Sequence, residues 1–307
     1  MRPPNRRTPL ALLVVQLVQW ALVVLFARST QADDAGLALT ILNVVVLLPV
    51  ALGCVYHLAE ELGGRRLGLF AAGVWVVTPF VLAPLWDARY ETAYEGTFLA
   101  PAVGLTDSGA FRALVALLVA TVLAARAVRG GSIVAAAGAG LAASLAVLFD
   151  ASSVVYLAAP AAAVLAARRW PAAGAYAASV LPGIVAVAIR DPVLPSLPDG
   201  DVFSNLHDNF LGVQEFFWSV RILQWLPVAG VVGVARRSIP LALLLGIWFG
   251  AYLVVLGGDP DYTIGAGTFL SALVPALPAY ALLTAAIPLL APPLPAWRLP
   301  WPDARRS

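Results

Sequence analysis

The chain has 307 residues, of which 61% are hydrophobic and only 12% are charged, and its formal net charge is +2. Soluble domains are typically about 45–50% apolar and about 25% charged, so this composition excludes a soluble globular enzyme and a disordered chain. All 19 basic residues are Arg, and they occur singly or in pairs without a basic stripe. This distribution excludes nucleic acid as a predicted partner. The composition is that of a polytopic membrane protein.

Ten apolar stretches of spanning length follow one another along the chain. Their lengths suit α-helices, and none shows the alternating pattern of a membrane β-strand. The sequence therefore predicts an all-α polytopic transmembrane bundle over residues 1–290, followed by a Pro-rich cytoplasmic tail over 291–307. The predicted spans are Pro9–Phe26, Gly36–Ala59, Leu67–Leu85, Ala110–Ala127, Ser132–Phe149, Ser152–Ala167, Pro171–Ile189, Phe216–Ala235, Ile239–Leu256 and Phe269–Leu290.

The charged residues segregate between alternate connections of these spans. One side carries 14 Arg and three acids, and the other carries five Arg and 14 acids. Cytoplasmic loops of membrane proteins carry the excess of Arg. The sequence therefore predicts a multi-pass plasma-membrane protein with both termini in the cytoplasm.

The longer connections and most of the acids fall on the predicted outer side. In the first long connection, Trp86–Gly109, three carboxylates recur at steps of four residues and would share one face of a helix. The interpretations are a polar site for a sugar or a metal, or a solvated amphipathic helix on the membrane surface. The carboxylates are Asp87, Glu91 and Glu95, with Tyr90 and Tyr94 on a neighbouring face.

In the second long connection, Arg190–Glu215, apolar residues recur at helical spacing after a Pro-rich start. We therefore predict two short outer interfacial helices, Trp86–Thr97 and Val202–Val213, with Phe203, Leu206 and Phe210 facing lipid or protein. His207 is interpreted as a solvated residue, and the chain shows no pair of residues with metal-ligand spacing, so no metal site is predicted.

Two Arg residues, Arg112 and Arg221, lie just inside the outer ends of predicted spans. Each either extends its side chain to the headgroups or binds a lipid phosphate through its planar guanidinium. Asp150 or Ser152 is expected to cap the helix that follows the turn at Asp150. Gly138, Gly140 and Ser144 are expected to allow close helix packing.

Several segments resemble polyprenyl-phosphate-dependent membrane glycosyltransferases of the GT-C superfamily, of the protein mannosyltransferase and aminoarabinose-transferase type. The resemblance covers about residues 36–290 as a pattern, and parts of it are similar to actinobacterial members that act in the cell envelope. The segments that carry it include Ala38–Asn43, His57–Arg66 with its Gly-Arg-Arg turn, Val77–Pro79, Thr97–Thr106, Glu215–Arg221, Trp225–Gly230, Ala235–Ser238 and Gly267–Tyr280.

The resemblance implies a first outer loop with an acidic catalytic residue, which here leaves Asp33 and Asp34 in the short connection Arg28–Ala35. One of them would deprotonate the acceptor hydroxyl, while Arg112 or Arg221 would stabilise the departing lipid phosphate. We predict one outward-facing cavity in which these residues meet the remaining binding residues. The remaining predicted substrate-binding residues are Asp87, Arg89, Tyr90 and Glu91, with aromatic surfaces from Trp86, Tyr94, Phe216, Phe217 and Trp218.

Three functions follow from these observations. The first is an integral membrane glycosyltransferase that uses a polyprenyl-phosphate sugar donor on the extracytoplasmic face. The second is a non-catalytic partner of the same fold, which binds a lipid or a neighbouring membrane protein, and the shortened first loop favours it. The third is a transporter or lipid flippase, against which the absence of paired broken helices and of buried acids argues. The residues specify no cofactor, sugar or acceptor.

Overall fold

A computed structural model describes residues 7–29, 37–90, 95–106, 109–190, 202–216, 220–263 and 268–291 of the chain. These ranges are helical with short connections, and no strand occurs within them. The predicted all-α fold is therefore confirmed. Five of the described helices are long and apolar enough to cross a membrane, as judged by length and composition: Thr8–Ala27, Ala38–Gly63, Arg65–Leu82, Gly109–Gly130 and Trp170–Ile189.

Five further apolar helices have 10–17 residues: Ile133–Phe149, Ala151–Ala166, Trp225–Ala235, Ile239–Val255 and Val274–Leu290. They coincide with the other five predicted stretches, so every apolar stretch is helical in its described part. The apolar helices identify a membrane-embedded protein, and the number of spans remains a prediction.

The N-terminal part of the bundle is built from four helices. They are α1 (Arg7–Ser29), α2 (Leu37–Ile41), α3 (Leu48–Gly63) and α4 (Arg65–Tyr90), and a π-helical turn at Leu42–Leu47 joins α2 to α3. Gly64 separates α3 from α4 with φ of +81°, a left-handed conformation that favours glycine.

The middle part contains the most closely packed helices. A π-helical turn (Glu95–Leu99) leads to the short α5 (Ala100–Ala102), and α6 (Gly109–Gly130), α7 (Ile133–Phe149), α8 (Ala158–Ala166) and α9 (Trp170–Arg190) follow. Ser132 caps α7, since its Oγ accepts a hydrogen bond of 3.2 Å from the amide of Ala135. A 3-10 helix (Ala151–Leu157) precedes α8.

The C-terminal part is interrupted more often. It contains α10 (Val202–Phe216), α11 (Val220–Ala235), α12 (Ile239–Val255), α13 (Thr268–Ala272) and α14 (Leu277–Ala285). The predicted last span is divided, because Pro275, Pro278 and Pro288 remove backbone donors from its interior. Two 3-10 helices, Val274–Ala276 and Ile287–Leu290, flank α14 as a result.

Small residues bring α7 and α9 into backbone contact. A Cβ atom at Gly140 would lie 2.6 Å from the carbonyl oxygen of Tyr176, and one at Gly183 would lie 2.7 Å from the Cα of Ser144. The Oγ of Ser144 also lies 3.0 Å from the carbonyl oxygen of Ser179. The predicted close packing at Gly140 and Ser144 is confirmed.

One end of the bundle, which we call the Arg-rich end, collects the turns at residues 60–66, 126–131, 167–169 and 236–238. Arg129 bonds the carboxylate of Glu61 at 3.0 Å, and Arg169 reaches the carbonyl of Arg129 at 3.5 Å. Arg236 contacts the carbonyl of Leu290. Alternate connections therefore meet at one end, as the charge pattern predicts.

The opposite end, which we call the Asp-rich end, contains the start of α6, the turn at Asp150 and the loop 256–263. A Cβ at Gly109 would overlap the carbonyl oxygen of Phe149, which places the start of α6 against the end of α7. Asp150 in turn lies within electrostatic range of Tyr262, in the loop after α12.

The two predicted outer helices have different outcomes. Val202–Val213 lies within α10. On its predicted apolar face Leu206 is buried and Phe203 is 73% exposed. The side chain of Phe210 lies outside the described residues. In the other predicted segment, Trp86–Thr97, residues 86–90 continue α4 without a Gly or Pro to end it, and residues 95–97 belong to the π-helical turn. Residues 91–94 lie outside the described ranges.

Candidate functional site

The predicted site residues fall into three groups. Asp33, Asp34 and Glu91 lie outside the described residues, together with the aromatic Phe217 and Trp218. The backbones of Asp87, Arg89 and Tyr90 occupy the last turns of α4, and that of Arg221 lies in the first turn of α11. Among the predicted site residues, Arg112 is the one whose side chain lies in the described part of the structure. The structure therefore shows where these positions lie on the helices and leaves their convergence in one cavity as a prediction.

Arg112 lies in the first turn of α6, at the Asp-rich end, as predicted. Its guanidinium carbon is 5.6 Å from the ring centroid of Phe149, the last residue of α7. This distance is in the range of a cation–π contact, which holds an Arg over an aromatic face. The contact keeps the charge next to the turn that carries Asp150.

An apolar groove runs along the outside of the bundle beside α4. Its volume is about 520 Å³. The helix α14 packs against both α4 and α11, so it forms the base of the groove between them. The lining residues are Leu69, Phe70, Gly73, Val74, Val77, Thr78, Val81 and Leu82 of α4, Leu226 of α11, and Tyr280 and Thr284 of α14.

The groove leads toward predicted site residues on two of its helices. At a rise of 1.5 Å per residue, Arg89 lies about 10 Å beyond Leu82 along α4, and Arg221 lies about 7.5 Å before Leu226 along α11. Both positions lie on the Asp-rich side of the groove. An apolar chain that lies in the groove with its head group toward the Asp-rich end would have that head group near these two Arg backbones.

Three carboxylates gather at the Asp-rich end. Asp150 Oδ1 accepts a hydrogen bond of 3.0 Å from the amide of Ser152, and Asp259 Oδ1 accepts one of 2.9 Å from the amide of Asp261. Burial, and then the charges of Asp259, Asp150 and Asp261, raise the pKa of Tyr262. Among the described residues, no group of three or more acidic, His or Cys side chains could hold a metal ion.

Buried hydroxyl groups lie beneath this acidic end. Tyr156 and Thr121, both fully buried, have hydroxyl oxygens 2.9 Å apart. The ring of Tyr156 meets the ring of Trp248 edge to face, with centroids 5.3 Å apart. One turn along α12, the Tyr252 hydroxyl interacts with the side chains of Ser153 and Ser152 and lies near Asp150.

Two Asn residues that sequence reasoning missed hold α10 in place. The amide of Asn209 donates to the carbonyls of Gly257 and Tyr262, at 3.0 Å each. The amide of Asn205 donates to the carbonyl of Gly258 at 3.2 Å. Their i, i+4 spacing on an otherwise apolar helix face is the signal that could have identified them.

A further contact that the sequence did not indicate lies at the Arg-rich end. Nε2 of His57 is 3.2 Å from Oε1 of Glu61 and 3.3 Å from Nη2 of Arg126. One ring nitrogen cannot donate to the carboxylate and accept from the guanidinium at once. The structure thus places His57 in a network of charged side chains with Glu61 and Arg126.

The geometry thus offers an apolar groove on the outside of the bundle and a separate polar cluster at one end of it. The groove can take a hydrocarbon chain, and the cluster can bind hydroxyl or cationic groups through its carboxylates. Comparison of the chain with protein families, curated proteins and solved structures finds no match.

Proposed function

We propose that this chain is an integral membrane protein that binds a polyprenyl-phosphate-linked sugar and acts as a GT-C-like glycosyltransferase on the extracytoplasmic face. The observation that carries the proposal is the groove beside α4. It is apolar, it lies on the surface of a membrane-embedded bundle, and two of its helices continue to Arg89 and Arg221. A polyprenyl phosphate combines the same two features, an apolar chain and an anionic head.

The proposed orientation follows from the charge pattern. The Arg-rich end would face the cytoplasm, because positively charged loops are retained there. The Asp-rich end would then face outward, and both chain termini would be cytoplasmic in a multi-pass topology. The head of the groove would open on the side where lipid-linked sugars are used in glycosyl transfer.

In the proposed reaction, the acceptor hydroxyl oxygen attacks the anomeric carbon of the sugar. Its proton passes to the carboxylate of Asp33 or Asp34. The bond from the anomeric carbon to the phosphate oxygen breaks, and the phosphate leaves with the bonding electron pair. Arg221 and Arg112 would stabilise the charge that develops on that phosphate.

A second function is favoured by one observation. Only seven residues separate the end of α1 at Ser29 from the start of α2 at Leu37, so the connection that contains Asp33 and Asp34 is short. A non-catalytic protein of the same fold, which binds a lipid or a membrane protein partner without transferring sugar, needs no acidic loop. Both functions use the groove as the lipid-binding site, but only the glycosyltransferase transfers the sugar.

The test of lipid binding uses a matched pair of glycine substitutions. A Cβ atom at Gly73, in the groove, and one at Gly174, on α9, both have no neighbouring atom within 4 Å. In nanodiscs, Gly73→Phe should fill the groove and weaken polyprenyl phosphate binding by about tenfold or more, since the bound chain loses buried apolar area. Gly174→Phe should bind like the wild type.

Equal binding by the two variants would refute the groove as the lipid site. Catalysis is tested separately, with a polyprenyl-phosphate hexose as donor and release of polyprenyl phosphate as readout. Release that depends on Asp33 or Asp34 supports the glycosyltransferase. Binding without release by the wild type supports the non-catalytic alternative.

A further inference from the structure

At the Arg-rich end, three Arg side chains form a connected set, which we call the Arg arc: Arg126, Arg129 and Arg169. Arg126 and Arg129 share one face of α6, because they are three residues apart, and Nη1 of Arg129 lies 3.0 Å from Oε2 of Glu61 on α3. Arg169 lies in the turn before α9, and its Nη2 is 3.5 Å from the carbonyl oxygen of Arg129. It also lies against the turn between α6 and α7, where a Cβ atom at Gly131 would be 3.2 Å from Nη1 of Arg169. The arc therefore borders the ends of α3, α6 and α9.

The Arg arc holds more positive charge than its surroundings neutralise. Arg129 is bonded to Glu61 twice, since its Nη2 also donates to the Glu61 carbonyl oxygen at 3.0 Å. Arg126 and Arg169 are exposed, and neither forms an ion pair with a described residue. Three guanidinium groups against one carboxylate leave two positive charges, because Arg remains protonated in proteins. The arc therefore attracts an anion.

The position of His57 shows that the arc also lacks a hydrogen-bond acceptor. Nε2 of His57 is 3.2 Å from Oε1 of Glu61 and 3.3 Å from Nη2 of Arg126. If Nε2 donates to the carboxylate, it presents a proton to Arg126, and a guanidinium has no acceptor atom. If Nε2 accepts from Arg126, Glu61 loses that donor. An anion beside Arg126 would accept from its guanidinium and leave His57 to bond Glu61.

The residues around the Arg arc place it at the depth of lipid head groups. Trp170 directly follows Arg169 and is 68% exposed, and Val134, in the first turn of α7, is 83% exposed. On a membrane-embedded bundle such apolar surface contacts lipid, and Trp is enriched at the membrane–water interface. The anions at this depth are lipid phosphates. Guanidinium groups bind phosphate oxygens through paired N–H donors, and basic pockets between membrane helices bind acidic lipid head groups.

We propose that Arg126, Arg129 and Arg169 bind the phosphate group of an anionic phospholipid in the leaflet at the Arg-rich end. The phosphate accepts hydrogen bonds from Arg126 and Arg169, while Glu61 holds Arg129 in position beside them. The acyl chains extend along the exposed apolar surface near Trp170. The site is separate from the groove, whose lining comes from α4, α11 and α14, and it does not depend on glycosyl transfer.

The experiment measures lipid binding to the full chain in maltoside micelles by native mass spectrometry. The probe is dioleoyl phosphatidylglycerol, and dioleoylglycerol, which has the same chains and no phosphate, is the matched control ligand. Arg126→Gln and Arg169→Gln should each weaken phosphatidylglycerol binding by about threefold to tenfold, because each removes charged hydrogen bonds to the phosphate. Arg237→Gln removes the same charge from an exposed Arg at the same end, outside the arc, and should bind like the wild type.

A second measurement separates binding from folding. Since Arg126, Arg169 and Arg237 are all exposed, the three variants should unfold at the wild-type temperature when no lipid is added. A ligand that binds the folded state raises its stability. Phosphatidylglycerol should therefore raise the unfolding temperature of the wild type and of Arg237→Gln more than that of the two arc variants.

The proposal is overturned if dioleoylglycerol binds as tightly as phosphatidylglycerol, or if both arc variants bind the phospholipid like the wild type. It is also overturned if Arg237→Gln weakens binding as much as the arc variants, which would show a general attraction of the Arg-rich end for anions. Inorganic phosphate that binds as tightly as the phospholipid, with the same dependence on Arg126, would identify a site for free phosphate and overturn the lipid. Gly73→Phe, in the groove, should leave phosphatidylglycerol binding unchanged, so this test and that of the groove fail independently.

Discussion

The packing of α11 on α14 gives the sharpest test of the structure. A Cβ atom at Gly230 would overlap the carbonyl oxygen of Leu283 and lie 2.8 Å from its Cα. Carbon atoms in ordinary contact are about 3.5–4.0 Å apart, so in Gly230→Ala the helix α11 has to move by about 1 Å. Because the obstacle is backbone, no side-chain rotation can relieve the overlap.

The magnitude follows from a matched control on the neighbouring helix. Gly250, on α12, has no atom within 4 Å of the position of a Cβ. Both substitutions gain the same helix propensity of Ala over Gly, so the difference between them isolates the overlap. Overpacking of this kind costs about 1–3 kcal/mol, and we expect Gly230→Ala to be less stable than Gly250→Ala by that amount.

The assay is reversible unfolding of both variants in mixed micelles, followed by tryptophan fluorescence. Since α11 forms one wall of the groove, Gly230→Ala should also weaken polyprenyl phosphate binding, whereas Gly250→Ala should not. A stability difference below about 0.5 kcal/mol, the range of neutral surface substitutions, would refute the backbone contact between α11 and α14.

Three further predictions test other parts of the molecule. Asn209→Ala leaves two loop carbonyls without their donor, so it should lower the free energy of unfolding by about 1–3 kcal/mol and speed amide hydrogen exchange across α10. Unchanged exchange would contradict the anchoring role of Asn209. Asp259→Asn removes one of the charges that act on Tyr262, so the pKa of Tyr262 should fall while burial keeps it above its ordinary value, as read from phenolate absorbance against a Tyr262→Phe control. An unchanged phenolate titration would show that Asp259 lies too far away. Reporter fusions after Gly109 and after Asp201 should both report the extracytoplasmic side, and a cytoplasmic signal at either would contradict the topology.

The buried polar side chains show most clearly which contacts could not be predicted from the sequence. The sequence predicts Asp150 or Ser152 as a helix cap, and the hydrogen bond from the amide of Ser152 to Asp150 identifies Asp150 as the cap. Its neighbours Ser153 and Tyr252 were not identified, because they are about 100 residues apart in the chain. Only the packing of α12 against the 3-10 helix Ala151–Leu157 brings their hydroxyls together.

The amino-acid sequence by itself determined the class of this protein and the course of its helices. Apolar runs of spanning length leave the backbone no alternative to helices in lipid, and the alternation of Arg and acidic loops sets which connections share an end. The local breaks of the last stretch follow from its prolines. These properties depend on residues close together in the chain.

The tertiary structure alone decided where a ligand could bind. The groove exists because α14 packs between α4 and α11, which depends on the space left by Gly230 and not on the apolar character that all these helices share. The partner of Asn209 likewise lies about 50 residues away, in a loop with no distinctive pattern. Helix faces of similar hydrophobicity are distinguished by shape, and shape emerges only when the backbones approach each other.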